Sequence, residues 1–267
     1  MLDLISFLTQ IPVRKAVRIE EVAARTYLFP FVAVLIGLVV AAVAFVVFEC
    51  SGLAPDIAAL LVLLAIYLVT GLMHLDGLAD FFDGVMAGGT KEDKRRAMKD
   101  EKIGIAGLFA TVFVILLTFF AIETVCTSLT KTAPAHSFDL RSFYHFASVF
   151  VIAEVSAKIS MNTCMISGKS EEGAGGGMGM GALFIHSFSK SRYVVALISA
   201  ILISLIFTAF SLRFFIVFTG IAVALFVSRI AKSNFGDVGV SGDVIGASNE
   251  LARCTTLLVL AIFHATF

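Results

Sequence analysis

At 267 residues the chain has the length of one or two domains, yet 59% of it is hydrophobic, only 15% is charged, and its mean hydropathy is +0.99. That balance lies outside soluble globular composition and makes lipid the expected solvent for most of the sequence. Twenty basic residues match twenty acidic ones, so net charge implies no nucleic-acid partner, and only the distribution of charge along the chain is informative.

The first segment places Leu4, Phe7, Leu8 and Ile11 at helical spacing opposite Asp3, Ser6 and Gln10, and ends at Pro12. The pattern predicts a short amphipathic helix lying at the membrane interface. Residues 1–13 lack a basic leader and a small-residue cleavage site, so they do not read as a signal peptide.

Seven apolar stretches follow, at 28–48, 57–73, 104–122, 142–162, 194–210, 212–230 and 247–267. Each is close to the roughly 20 residues that a helix needs to cross a hydrocarbon core. The reading is a single all-α domain over 1–267, a polytopic helical membrane bundle of about seven spans plus the N-terminal interfacial helix. The fifth and sixth spans are separated only by Ser211 to Arg213, which predicts a tight helical hairpin. Cys50, Cys126, Cys164 and Cys254 form no CxxC pair and no zinc spacing, so they read as apolar filler.

Lys and Arg distribute unevenly between the spans. Fifteen fall on the side of the N-terminus, six of them between Lys91 and Lys102, against Lys131, Arg141 and Arg213 on the other side. The positive-inside rule then puts the N-terminus in the cytoplasm and the C-terminus outside. Segments 74–104, 163–193 and 233–246, which are rich in polar residues and glycine, all fall on the cytoplasmic side and are expected to build one site. The glycine-rich run 173–181 lies within the second of them.

The chemistry concentrates in His74-Leu-Asp76-Gly-Leu-Ala-Asp80-Phe-Phe-Asp83-Gly84. At about 100° per residue, one helix carries Asp76, Asp80 and Asp83 within an arc of about 60°, while His74 points the other way. Helix neighbours three and four apart sit about 5–6 Å from each other. At an effective dielectric near 20, each like-charged pair then repels by roughly 3 kcal/mol. A hard divalent cation, Mg²⁺ or Mn²⁺, relieves that repulsion and commonly bridges carboxylates to phosphates. A plain solvated helix end is the alternative reading.

Met98-Lys99-Asp100-Glu101-Lys102-Ile103-Gly104 follows, with two lysines that suit phosphate oxygens and serve equally as topology signals. The third motif, Gly239-Val-Ser241-Gly242-Asp243-Val-Ile-Gly246, opens a helix whose free N–H groups suit an anion, unless Asp243 or Ser241 is merely its N-cap. Asp243 and Glu250, seven apart, share a face, and Arg253 lies within a turn of Glu250, so an ion pair is enough to explain the last two. Glu154 and Lys158, four apart inside a span, either pair or mark function.

The Thr70 to Gly84 stretch, Met98 to Gly104 and Gly239 to Ala247, in that order and with the opening Phe7-Leu-Thr-Gln-Ile-Pro12, resemble the adenosylcobinamide-GDP ribazoletransferase family, also called cobalamin-5′-phosphate synthase. The resemblance runs along nearly the whole chain. It implies attack of a ribazole 3′-hydroxyl on the cobinamide-linked phosphate of adenosylcobinamide-GDP, release of GMP, and a need for Mg²⁺ (Mn²⁺ is the substitute the donor chemistry allows). It further implies that Asp76, Asp80, Asp83 and Asp243 carry the metal and the catalysis. His74, Lys99, Asp100, Lys102, Gly242, Asn249, Glu250 and Arg253 are expected at the substrate site. Lys102 stands where the family usually has arginine, Asp237-Val238 resembles a small insertion, and the glycine run is longer than usual.

Two rival functions make different demands. A CDP-alcohol phosphotransferase expects Ala-Arg after the glycine where this chain has Ala79-Asp80. A cation-coupled transporter expects ionisable groups near the bilayer midplane, a place that only Glu154 and Lys158 suit.

Overall fold

The computed structural model describes residues 1–13, 17–130, 140–169, 179–237 and 239–266, and the secondary structure among them is helical. Six helical segments are long and apolar enough to cross a membrane: Thr26–Cys50, Ile105–Thr130, Leu140–Ser167, Lys190–Phe207, Leu212–Phe235 and Gly242–His264. A further candidate is a broken pair, Pro55–Thr70 and Met73–Met86, bent by 95°. Six of the expected apolar stretches fall on the six long segments, and the stretch 57–73 falls mainly on the first helix of the broken pair. Residues 173–178 of the glycine-rich run, and Val238, lie outside the described residues.

In chain order the helices are α1 (Leu2–Leu8), α2 (Ile19–Ala24), α3 (Phe29–Phe45), α4 (Pro55–Thr70), α5 (Met73–Met86), α6 (Lys91–Met98), α7 (Ile105–Thr130), α8 (Leu140–Ser167), α9 (Met180–Ser187), α10 (Lys190–Phe207), α11 (Phe218–Phe235) and α12 (Gly242–Thr266). α8 is the axis of the bundle. Nearly all of it is buried, and α3, α10, α11 and α12 pack around it.

Small residues permit the closest approach. A Cβ at Gly37 of α3 would stand 2.6 Å from Val151 Cα of α8. Thr26 O accepts from Asn162 at one end of that pair, and Phe45 meets Phe146 at the other, so α3 and α8 run antiparallel.

Side-chain contacts also settle the expected hairpin. Tyr144 near the start of α8 donates to Ile206 O near the end of α10, and Thr163 meets Tyr193, so α10 runs against α8. Ser156 meets Thr219 and Cys164 meets Ser228, so α11 runs with it. The fifth and sixth spans are thus antiparallel neighbours around α8. Ala209 and Phe210, both at positive φ, make the turn between them.

The short helices gather at one end. α4 stops at Gly71, whose φ of +71° is a conformation that side chains resist. α5 then leaves nearly at right angles and packs across the first turns of α7 and α12. We read α4 as the membrane-crossing part of the pair and α5 as lying outside the spans along the bundle's end. α1 packs on the bundle: Leu4 and Leu8 are buried, Phe7 packs edge-on against Phe184, and Gln10 N–H donates to Val69 O. Of the stripe read from the sequence, Leu4, Phe7 and Leu8 face protein and Ile11 is exposed.

Candidate active site

α5 is positioned by glycine and by a helix start. Gly77 lets α5 cross α12 backbone to backbone, since a Cβ there would sit 3.0 Å from Asp243 Cα. Gly246 gives the return contact beneath His74, with a Cβ position 3.3 Å from His74 Cα. This crossing sets Asp76 and Asp80 beside Asp243, although 163 residues separate Asp80 from Asp243.

The four aspartates of the sequence motif divide into two kinds. Asp83 accepts from Gly104 N–H on Oδ2 at 2.7 Å and from Gly107 N–H on Oδ1 at 2.8 Å. Both oxygens are therefore committed to the amide groups that open α7, where a helix has free donors and favours negative charge. Asp76 and Asp80 have no hydrogen-bond or ion-pair partner among the described residues. Asp243 accepts from Ser241 Oγ, at 3.3 Å, and from its own backbone N–H.

Burial first, and then the charges of Asp76, Asp243 and Asp83, push the Asp80 carboxyl up to about 6. The crowding expected from the 4 and 3 spacing is thus real, and Asp243 from a distant helix adds to it. The donor set is all oxygen, which suits a hard cation. Among the described residues, however, no three His, Cys, Asp or Glu side chains stand close enough together to share an ion as they are placed. The carboxylates crowd without converging, and Asp83 has another task.

A cavity of about 470 Å³ opens beside the cluster, between α5, α8, α9 and the start of α12. Lys99, Ser241, Gly242 and Asp243 lie on it together, and His74 forms part of its wall. Lys99 is brought there by α6. Thr90 and Asp93 cap that helix reciprocally, and the Thr90 backbone N–H, followed by its hydroxyl, holds the Asp93 carboxyl below its usual range. Lys94 Nζ ties α6 to Val85 O at 3.1 Å and to Asn234 Oδ1 at 2.7 Å, so a lysine that reads as a topology signal is also a clamp between α5 and α11.

Other expected substrate residues are placed elsewhere. Lys102 and Asp100 are exposed and off the cavity, where Asp100 Oδ1 accepts from Lys102 N–H. Asn249, Glu250 and Arg253 are sealed inside the bundle, at 0, 2 and 1% exposure. Arg253 Nε donates to Glu154 Oε1 at 2.6 Å and Nη1 to Glu250 Oε1 at 2.7 Å. Lys158 Nζ donates to Asn249 Oδ1 at 2.7 Å and stands 3.4 Å from Glu154. These groups face one another in a network inside the bundle, and Asn249, Glu250 and Arg253 do not line the cavity.

Tyr67, which the sequence reading passed over, donates to Glu250 Oε2 at 3.2 Å. It is an ordinary apolar-run tyrosine with no local signal. Asp237, exposed, pairs with Lys169 at 3.6 Å. The cavity wall supplied by α9 falls within the 163–193 segment expected at the site, whereas Phe7 of α1 has no local signal that marks it.

The fold and site define a class: a multi-pass helical membrane protein with a carboxylate cluster, a lysine and a helix start gathered at one end of the bundle. Comparison with known proteins narrows it. Residues 1–261 match the family model described as cobalamin-5-phosphate synthase. The adenosylcobinamide-GDP ribazoletransferase of Thermococcus onnurineus is 31% identical, over 99% of this chain and 98% of its own length. The protein of the same name from Methanocella arvoryzae is 38% identical, over 96% and 92%. That of Pyrococcus abyssi is 31% identical, over 98% and 97%. No solved structure matches the chain. The chain belongs to the cobalamin-5-phosphate synthase family and is a membrane-embedded transferase of cobalamin biosynthesis.

Proposed function

We infer that this protein transfers the adenosylcobinamide phosphate group from adenosylcobinamide-GDP to α-ribazole or its 5′-phosphate and releases GMP. The ribazole 3′-hydroxyl oxygen bonds to the phosphorus that carries cobinamide, and the bond from that phosphorus to the GMP oxygen breaks. A cluster carboxylate takes the hydroxyl proton. The observation that carries the reading is the set of carboxylates at Asp76, Asp80 and Asp243, left without cationic partners beside a cavity reached by Lys99.

These three aspartates would hold Mg²⁺, or Mn²⁺ in its place. Bound there, the ion would neutralise both the carboxylates and the phosphate oxygens, the main requirement of phosphoryl transfer. Lys99 contributes a mobile point charge for a phosphate oxygen. Asp83 serves by fixing α7 against α5, and so holds the other acids in place. The charge bias of the sequence supports a cytoplasmic position for this end of the bundle and an external C-terminus.

The direct test is GMP release from adenosylcobinamide-GDP by protein reconstituted in lipid. Asp80→Asn should abolish Mg²⁺-dependent release while leaving the helical content and unfolding midpoint unchanged. Full activity in that variant removes the metal assignment. Absence of product with either acceptor in the unmutated protein removes the proposed reaction.

A further inference from the structure

The cavity beside the acid cluster has a mixed rim that carries two lysines, and an apolar interior. Its exposed members are Lys99 and Lys169 together with Met73, Met180, Gly179 and Gly242, with Asp243 half-buried at the transition. Its deep members are Met161, Phe184, Val240 and Ile245, each no more than 4% exposed. One polar side chain interrupts that interior. His74 is 3% exposed, and neither ring nitrogen has a hydrogen-bond partner. A buried polar group left unmatched costs free energy on the order of 1–3 kcal/mol, so an unmatched imidazole on a cavity wall is a sign of a ligand that completes it.

Of the groups in the proposed reaction, one fits this chemistry. The corrin ring with its side chains is far larger than a cavity of about 470 Å³. Guanine carries several donors and acceptors on its edges, which walls of Met, Phe, Val and Ile would strand. A ribazole base is a fused apolar bicycle with a single free ring nitrogen, an acceptor, and imidazole in its neutral form has a single N–H to donate. The volume falls in the range of about 300–1,000 Å³ typical of small-molecule sites.

We propose that this cavity holds the base of the acceptor nucleoside, with the free ring nitrogen of the base accepting a hydrogen bond from His74. The assignment rests on the reaction inferred above and deepens it by locating the acceptor. With the base inside, the ribose lies toward the rim, where Asp243 and Lys99 meet its hydroxyl and the incoming phosphate. The His74 nitrogens are enclosed behind the wall, so engagement requires rotation about its Cα–Cβ bond as the base enters. His74 is a specificity-determining group and takes no part in bond making.

The test uses the full-length protein in lipid and two acceptors: α-ribazole, and its analogue with C–H in place of the free ring nitrogen. The unmutated protein should favour α-ribazole by about tenfold in kcat/KM, the value of one good hydrogen bond. His74→Phe should erase that preference without changing the KM for adenosylcobinamide-GDP, and His74→Gln, which keeps a donor, should restore part of it. Ala182→Phe, which fills the cavity from α9, should raise the α-ribazole KM by about tenfold or more and leave the other KM unchanged.

Equal loss on both acceptors in His74→Phe, or an unchanged acceptor KM in Ala182→Phe, overturns the proposal while the inferred reaction stands. If His74→Phe does not fold, Ala182→Phe decides alone. An unmutated protein that turns over neither acceptor overturns the reaction, and this proposal falls with it.

Discussion

Two groups of charged side chains lie about two helical turns apart along α12, and the fold treats them in opposite ways. Glu154, Lys158, Glu250 and Arg253 form a closed, charge-balanced set in the middle of the bundle, every one of them paired. Asp76, Asp80 and Asp243 sit at the bundle's end as like charges without a matching set of cations. Burying an ion costs several kcal/mol unless a partner with good geometry repays it. The inner set meets that condition from within the chain, so it needs no ligand and locks α8 to α12. The outer set has no such partners: Asp76 is exposed, Asp80 and Asp243 are half-buried, and the cation proposed above would supply the missing charge. Charge type alone therefore does not separate the two sets, whereas pairing does.

That contrast can be broken from either side. The largest effect is expected at the outer set: Asp243→Asn should lower GMP release by at least about a thousandfold, on the order of 4 kcal/mol in the barrier, with the unfolding midpoint in detergent unmoved. At the inner set the signs reverse. Arg253→Met leaves two buried carboxylates facing one lysine and should cost about 3–5 kcal/mol of stability, read as a lowered unfolding midpoint. Replacing Glu154, Lys158, Glu250 and Arg253 together with apolar residues of similar size should recover most of that loss.

Asp83→Asn falls between the two. It keeps an acceptor for one amide but loses the charge-assisted pair, so a loss of about 2 kcal/mol should accompany only partial loss of activity. Arg96, 82% exposed at its side chain and 3.8 Å from Asp93, should tolerate alanine with no measurable shift in midpoint or rate. A large effect there would mean that the basic run on α6 does more than mark topology.

Much of this was legible in the sequence, to an extent that physics explains. Spans announce themselves because lipid requires continuous apolar runs, so each expected apolar stretch falls on helix. Their ends differ where polar residues continue a helix inside protein. α8 runs on from 162 to Ser167 through buried Thr163, and α12 starts at Gly242 rather than at 247. The spacing of Asp76, Asp80 and Asp83 does put three acids together, because helix geometry is local.

What α7 does to the third acid is not local. The amide groups that claim Asp83 belong to residues 21 and 24 positions onward, and only the 95° break after Thr70 brings them there. Likewise the pairs Glu154–Lys158 and Glu250–Arg253 could be read within single helices. The bond from Arg253 to Glu154, 99 positions apart, could not, and without it Arg253 looked available to substrate.

The central claim is that Asp76, Asp80 and Asp243 form a cation site and that Asp83 is architecture. It is tested most directly by titrating Mn²⁺ into the purified, reconstituted protein and counting bound ions by electron paramagnetic resonance. Asparagine at position 76, 80 or 243 should each weaken Mn²⁺ binding by about tenfold or more, while Asp83→Asn retains it within a few-fold. Loss of binding in Asp83→Asn equal to that in the other three, or undiminished binding in Asp80→Asn, would contradict the division on which the account stands.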